Sequence, residues 1–139
     1  MKVYLTRRYA FPASHRLHSS ALNEAQNRET YGKCNNPHGH GHNYALEVTL
    51  AGPVNKDTGM LCDLAVLDQA VDREVLSLFD HANLNELPRF NGRVPTTEIL
   101  CTEIYKLLDA ALPALLNKIR LEETSNNSFE YAGGREIKY

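Results

Sequence analysis

The 139-residue chain reads as α+β: an antiparallel four-stranded sheet with two helices on one face. Three observations predict it. Apolar residues alternate through segments near both ends of the chain, as half-buried strands require. Two central segments instead repeat apolar residues at steps of three and four, the stripe of a surface helix. The resulting order of strand, strand, helix, helix, strand, strand contains no repeated βαβ unit, which favours an antiparallel sheet with its helices segregated.

The elements follow in turn. KVYLTRRYA is a strand with Val3, Leu5 and Tyr9 on one face and Arg7 as the exception. Residues 11–41 form the one long segment without a clear period. HNYALEVTLA then alternates, with Tyr44, Leu46, Val48 and Leu50 to one side and Asn43, Glu47 and Thr49 to the other. GPVNKDTG is a turn by its Gly, Pro, Asn and Asp content, and a short return strand is expected at 59–62. Asp63 suits the N-cap of LAVLDQAVDREVLSLF, whose stripe is Leu64, Leu67, Val71, Val75 and Leu78. The loop DHANLNELPRFNGRVP leads to a second helix, capped by Thr96 or Thr97, with Glu98 at its positive dipole end. Leu100, Ile104, Leu107, Leu108 and Ala111 give that helix its buried face, and Pro113 stops it. KIRLEET and SFEYA read as a hairpin joined around Ser125, Asn126 and Asn127. Length and the absence of linkers predict a single domain over 1–139.

Composition narrows the function. Fifteen Lys and Arg against seventeen Asp and Glu, a formal charge of −2, argue against a general nucleic-acid binder. No apolar run reaches the roughly 20 residues of a membrane span, and MKVYLTRRYAF lacks the long apolar stretch of a secretory signal. Three widely spaced cysteines cannot all pair, so a reducing, cytoplasmic compartment is expected. Six histidines remain, more than packing requires.

Several of them fall in Cys34-Asn-Asn-Pro-His38-Gly-His40-Gly-His42. Side chains at i and i+2 of an extended chain project to the same side, so His40 and His42 continue the inward row of Tyr44, Leu46, Val48 and Leu50. Two neutral imidazoles side by side are half of a zinc site. A glycine-rich turn with incidental histidines would not explain why the inward row begins with two polar rings. The third ligand is open among His15, His18, His38, His81 and Cys34. A site with Cys34 and three histidines would be saturated and structural, whereas three histidines alone would leave a position for water or substrate.

Glu123 shares parity with Ile119 and Leu121, and an inward carboxylate is costly unless satisfied. A ligand with paired amide-like N–H groups would satisfy it; a core Arg or Lys would also do so. Asp80 and His81 follow the first helix, where a histidine is often explained by the helix dipole alone. Cys62 and Cys101 read as small packing residues. Cys34, in a polar loop beside Lys33, is the candidate working thiol.

Taken together, F-P-A-S-H15-R-L, Y-G-K-C34-N-N-P-H-G-H40-G-H42-N-Y, D-T-G-M, L-F-D80-H81-x-N-L, P-T-T-E98 and E123-T-S-N-N resemble the 6-pyruvoyltetrahydropterin synthase family and its relatives, the 6-carboxytetrahydropterin synthases. The likeness spans nearly the whole chain. It implies a T-fold of the tunnelling-fold type, with Zn2+ held by His15, His40 and His42. It also implies a catalytic set of Cys34, Asp80 and His81, which reverses the dipole reading of the last pair. Glu123 matches the residue that anchors the pterin ring, and Thr96, Thr97 and Glu98 match the stretch lining that pocket. The implied substrate is 7,8-dihydroneopterin triphosphate, with no external redox cofactor, and Arg16 and Lys33 are candidates for the triphosphate. The implied assembly is a homohexamer, a dimer of trimers, with sites between subunits. Cys34 stands six residues before His40, a spacing similar to the pyruvoyl-forming group. The resemblance therefore implies 6-pyruvoyltetrahydropterin formation with triphosphate elimination. The alternatives are the 6-carboxy enzyme of queuosine biosynthesis and, from another class, a non-catalytic zinc- or pterin-binding module. His18 and His38 receive no role.

Overall fold

The computed structural model describes residues 1–137. Along the chain run β1 (Lys2–His15), α1 (Glu24–Tyr31), β2 (His40–Pro53), α2 (Leu64–Val71), α3 (Ser77–Phe79), β3 (Ala82–Asn83), α4 (Thr97–Ala111), β4 (Leu116–Thr124) and β5 (Asn127–Tyr131). The sheet order is β3-β1-β2-β4-β5. β1 and β2 pair antiparallel over their full length, from Lys2↔Pro53 to His15↔His40. β2 with β4 and β4 with β5 are also antiparallel.

The α+β class holds, but the sheet has five strands and is mixed, where four antiparallel strands were expected. The extra strand arises at the free edge of β1. After α3 the His81 amide donates to the Pro12 carbonyl at 2.7 Å, and the chain runs parallel to β1 for two residues, Ala13↔Ala82 and Ser14↔Asn83. Those contacts satisfy edge groups that would otherwise face solvent. The return strand expected at 59–62 does not form. Asn55 instead accepts from the Asp57 and Thr58 amides and closes a turn on the Met60 carbonyl at 2.9 Å.

One face of the sheet carries the core. Phe11, Tyr44, Leu46, Val48, Leu50, Ile119 and Leu121 pack against Leu67, Val71 and Val75 and against Leu100, Ile104 and Leu108 of α4. Each such side chain contributes about 1.5–3 kcal/mol on burial. Asp63 and Thr96 cap α2 and α4 by accepting from the Ala65 and Ile99 amides. The first helical stripe holds at Leu67, Val71 and Val75 but not at Leu78, which is 40% exposed, and the segment is not one uniform helix, because a π turn at Asp72–Leu76 joins α2 to α3. Arg7, the charged exception on the β1 face, donates to Asp68 of α2 at 2.8 and 3.2 Å, and the Tyr9 hydroxyl donates to the same carboxylate at 2.7 Å.

Residues 11–41 hold a helix that no apolar stripe announced. α1 exposes nearly all of its side chains, and only Asn27 is buried. Its start is set by a capping box in which Asn23 and Gln26 bond each other's backbone amides. Asn27 then accepts from the Ser19 amide and donates to the carbonyls of Ser19, Leu22 and Asn23, which fixes the approach to the helix.

Candidate metal centre and active site

The β1–β2 register brings the site together. His15 lies opposite His40, and Ala13 lies opposite His42, so all three imidazoles project from the core face at one end of the sheet. Their ring centroids are 5.1, 5.0 and 4.6 Å apart for the pairs 15–40, 15–42 and 40–42. The chain can close this corner because of Gly39. Its φ is +70°, and a Cβ there would sit 3.0 Å from the His15 carbonyl oxygen. A side chain would be both strained and too close.

His15 is 1% exposed, and its Nδ1 lies 2.9 Å from the Pro95 carbonyl oxygen, which can only accept. Nδ1 therefore carries the proton, and the Nε2 lone pair points into the cluster. Nε2 of His15, Nε2 of His42 and Nδ1 of His40 are buried without a hydrogen-bond partner among the described residues. Burial pushes the His15 and His42 pKa values below the usual imidazole range, so both rings favour the neutral, ligating form. One ligand atom from each histidine lies within 4.8 Å of the others. Nitrogens on one tetrahedral zinc stand about 3.4 Å apart, so the set fits such an ion after small ring movements. Orphaned and convergent imidazole nitrogens are what a zinc ion requires and what a packed core avoids.

Glu123 faces this cluster. The β4–β5 register shifts between Glu122 and Thr124, leaving Glu123 as the extra residue of β4. Such a bulge re-aims a side chain at the rim of a sheet. Glu123 accepts from the Thr97 hydroxyl and from the Asn127 amide (3.2 Å), and lies 4.0 Å from His42 Nε2. Burial pushes its carboxyl pKa upward, but the Thr97 and Asn127 hydrogen bonds outweigh it, with help from His42 and His15, and hold it below the usual value. It is an ionised, half-enclosed acceptor with lone pairs to spare.

Cys34 is half-buried on the 3-10 turn Gly32–Asn35. Burial and then the Glu123 charge push its thiol pKa up. The same carboxylate thus acts on both the thiol and the histidines.

The remaining expected residues divide. Thr97 is buried and reaches Glu123. Thr96 is occupied as the α4 cap, and Glu98 is exposed on the first turn. Asp80 and His81 pair with each other at 2.9 Å, with the His81 side chain 78% exposed. His81 adopts φ +59°, a strained conformation for a non-glycine residue. It shares a cleft of about 290 Å³ with Pro12, Ser14, Asn43 and His42. Among the described residues, no hydrogen bond joins Asp80 or His81 to Cys34 within one chain. His18 lies 3.1 Å from the Asn35 amide, and His38 is exposed. Sequence reasoning missed the Pro95 carbonyl, since a backbone acceptor leaves no mark on residue identity, and it gave no role to Asn127, whose side-chain amide donates to Glu123.

Fold and site together define an α+β protein with a three-histidine corner that could hold a metal ion, and with a thiol and a carboxylate beside it. Residues 4–134 match the family model for 6-pyruvoyl tetrahydropterin synthase. The chain belongs to that family. It is 45% identical over 132 residues to the 6-pyruvoyl tetrahydrobiopterin synthase of Poecilia reticulata, covering 94% of this chain and 90% of that one. It superposes on the Caenorhabditis elegans 6-pyruvoyl tetrahydropterin synthase structure with a TM-score of 0.92 at 41% identity, covering 96% and 97% of the two chains. Similarity to the 6-carboxy-5,6,7,8-tetrahydropterin synthase of Bacillus subtilis is lower, 33% over 114 residues, or 79% of this chain and 73% of that one.

Proposed function

We propose that the chain converts 7,8-dihydroneopterin triphosphate to 6-pyruvoyltetrahydropterin with elimination of triphosphate. The observation that carries this reading is the convergence of three unpartnered imidazole nitrogens beside an ionised, inward-facing Glu123. The higher identity to relatives named for the pyruvoyl product supports that product over the carboxy one.

His15, His40 and His42 would hold Zn2+. Zinc bound there supplies Lewis-acid polarisation of the substrate's side-chain hydroxyls and positive charge that favours thiolate on a neighbouring cysteine. Glu123 accepts the paired N–H groups of the pterin ring, and its Thr97 and Asn127 bonds fix the carboxylate plane for that contact. Cys34 is the base that takes a proton from the substrate's side-chain carbon, and His81 relays the second proton while Asp80 holds its Nδ1. Thr96 contributes by starting α4, and Glu98, exposed on that helix's first turn, is assigned to the pterin pocket by the family likeness alone. The family likeness suggests a homohexamer, in which one subunit's exposed Asp80–His81 pair would meet the neighbour's thiol. Such an enzyme would work in the cytoplasm as one domain over 1–139. Among the described residues no helix is long and apolar enough to cross a membrane.

The decisive experiment incubates the zinc-loaded protein with 7,8-dihydroneopterin triphosphate and follows triphosphate release and pterin mass. A product that keeps the three-carbon side chain is expected. Acetaldehyde with a carboxypterin would instead identify the carboxy reaction. Absence of triphosphate release would remove the catalytic reading altogether.

A further inference from the structure

The Cys34 turn belongs to no sheet ladder, so something else must hold its thiol in register with the histidines. Four hydrogen bonds join it to the segment that leaves β1 directly after His15. The Leu17 amide donates to the Cys34 carbonyl at 2.7 Å. The other three use Asn35. Its Nδ2 donates to the Leu17 carbonyl at 2.8 Å and contacts His18 Nδ1 at 3.1 Å, while its own carbonyl accepts from Arg16 Nε at 3.2 Å. Asn35 is 8% exposed, so its amide is a buried polar group that must be paired. The far side of the same segment is pinned too. Asn85 accepts from the Arg16 amide at 2.6 Å and donates to the Arg16 carbonyl at 2.9 Å.

We infer that Asn35 is a positioning residue, which sets the Cys34 thiol against the three-histidine corner by tying its turn to residues 16–18. His18 then has a role. With the Asn35 Nδ2 as the donor, His18 Nδ1 accepts and completes the amide's bonding. The lever is short: Asn35 directly follows Cys34, and only Arg16 separates its partner Leu17 from His15. Loss of the side-chain amide removes two of the four bonds, those to the Leu17 carbonyl and His18, and leaves the turn held only by backbone carbonyls, without touching His15, His40 or His42. The inference rests on Cys34 being the working thiol of the proposed function.

The test compares Asn35→Ala and the near-isosteric Asn35→Asp with the wild-type zinc-loaded protein, and runs Cys34→Ser alongside. Iodoacetamide labelling, read peptide by peptide, needs no turnover. Cys34 should label several-fold faster in both variants, while buried Cys101 stays protected and zinc stoichiometry is unchanged. In the turnover assay kcat should fall roughly 10–100-fold with KM little changed, as expected for a reacting group displaced by about 1 Å. Labelling and kcat both within twofold of wild type would overturn the inference. Exposure of Cys101 or parallel zinc loss in both variants would also overturn it, because Asn35 would then be serving general folding. A fully active Cys34→Ser would instead defeat the thiol's assigned role, which distinguishes the two failures.

Discussion

Zinc binding should stabilise this protein measurably, and the structure sets the scale. The three-histidine cluster buries three imidazole nitrogens that have no hydrogen-bond partner among the described residues. An unsatisfied buried polar group costs about 1–3 kcal/mol, so the corner is locally expensive until a ligand occupies it. Preorganisation limits what binding must spend: the His15 proton is already committed to Pro95, and the ring centroids stand 4.6–5.1 Å apart. For an ion that binds the folded state alone, free metal at 100 times its Kd adds about 2.7 kcal/mol. At roughly 2–5 °C per kcal/mol for a chain of this size, that corresponds to a rise in Tm of about 6–13 °C. The assay is calorimetry of chelator-treated protein with and without added zinc, repeated on His40→Ala. The wild type should gain stability in proportion to the logarithm of zinc concentration, and the variant should lose most of that gain. A wild-type Tm indifferent to zinc, or a full response in His40→Ala, would refute the reasoning.

Cys34→Ser should retain zinc and the wild-type Tm within about 2 °C while turnover falls by roughly 10²–10⁴, the usual worth of a general base; metal analysis beside the triphosphate assay checks it. Gly39→Ala should destabilise the protein by about 1–3 kcal/mol, since φ is +70° and the new Cβ meets the His15 carbonyl oxygen at 3.0 Å, and should weaken zinc binding in a competition titration. Glu103→Gln should cost about 1–3 kcal/mol in denaturant unfolding, because the buried carboxylate accepts from Arg93, Arg89 and Lys106 at 2.8, 2.9 and 3.4 Å. Burial pushes the Glu103 pKa upward, but the Arg93 and Arg89 bonds prevail and hold it below its ordinary value. Its stabilisation is therefore complete above the ordinary carboxylate range and lost as pH falls through the lowered value, so the gap between wild type and Glu103→Gln should close in acid.

What sequence could reveal depended on whether a feature was periodic. The alternation from Tyr44 to Leu50 placed His40 and His42 on the core face, and Glu123 followed from Ile119 and Leu121 by the same parity. Both inferences needed only strand geometry. His15 could not be separated from His18 or Cys34 by periodicity, because the choice depends on pairing between segments 25 residues apart. The family likeness made the choice, and the register gives its reason. α1 was invisible to an apolar count because it buries only Asn27, yet Asn23 and Gln26 had the spacing of a capping box. β3 carried no signal at all. Two residues have no measurable alternation, and their pairing is decided by the free edge of β1 rather than by Ala82 and Asn83 themselves.

The dependence of the metal corner on register explains why it stands at the end of the longest strand pair. A slip of one residue between β1 and β2 would leave each strand's own alternation intact, but would turn one strand's inward row toward solvent. His40 and His42 would then leave His15, and Tyr44, Leu46, Val48 and Leu50 would leave the core with them. Those four residues are between 0 and 1% exposed, so the slip would forfeit several kcal/mol of burial. The energy that prevents the slip is therefore spent on packing well away from the imidazoles. The histidines need contribute nothing to folding in order to be held together, so their buried nitrogens can stay unpaired.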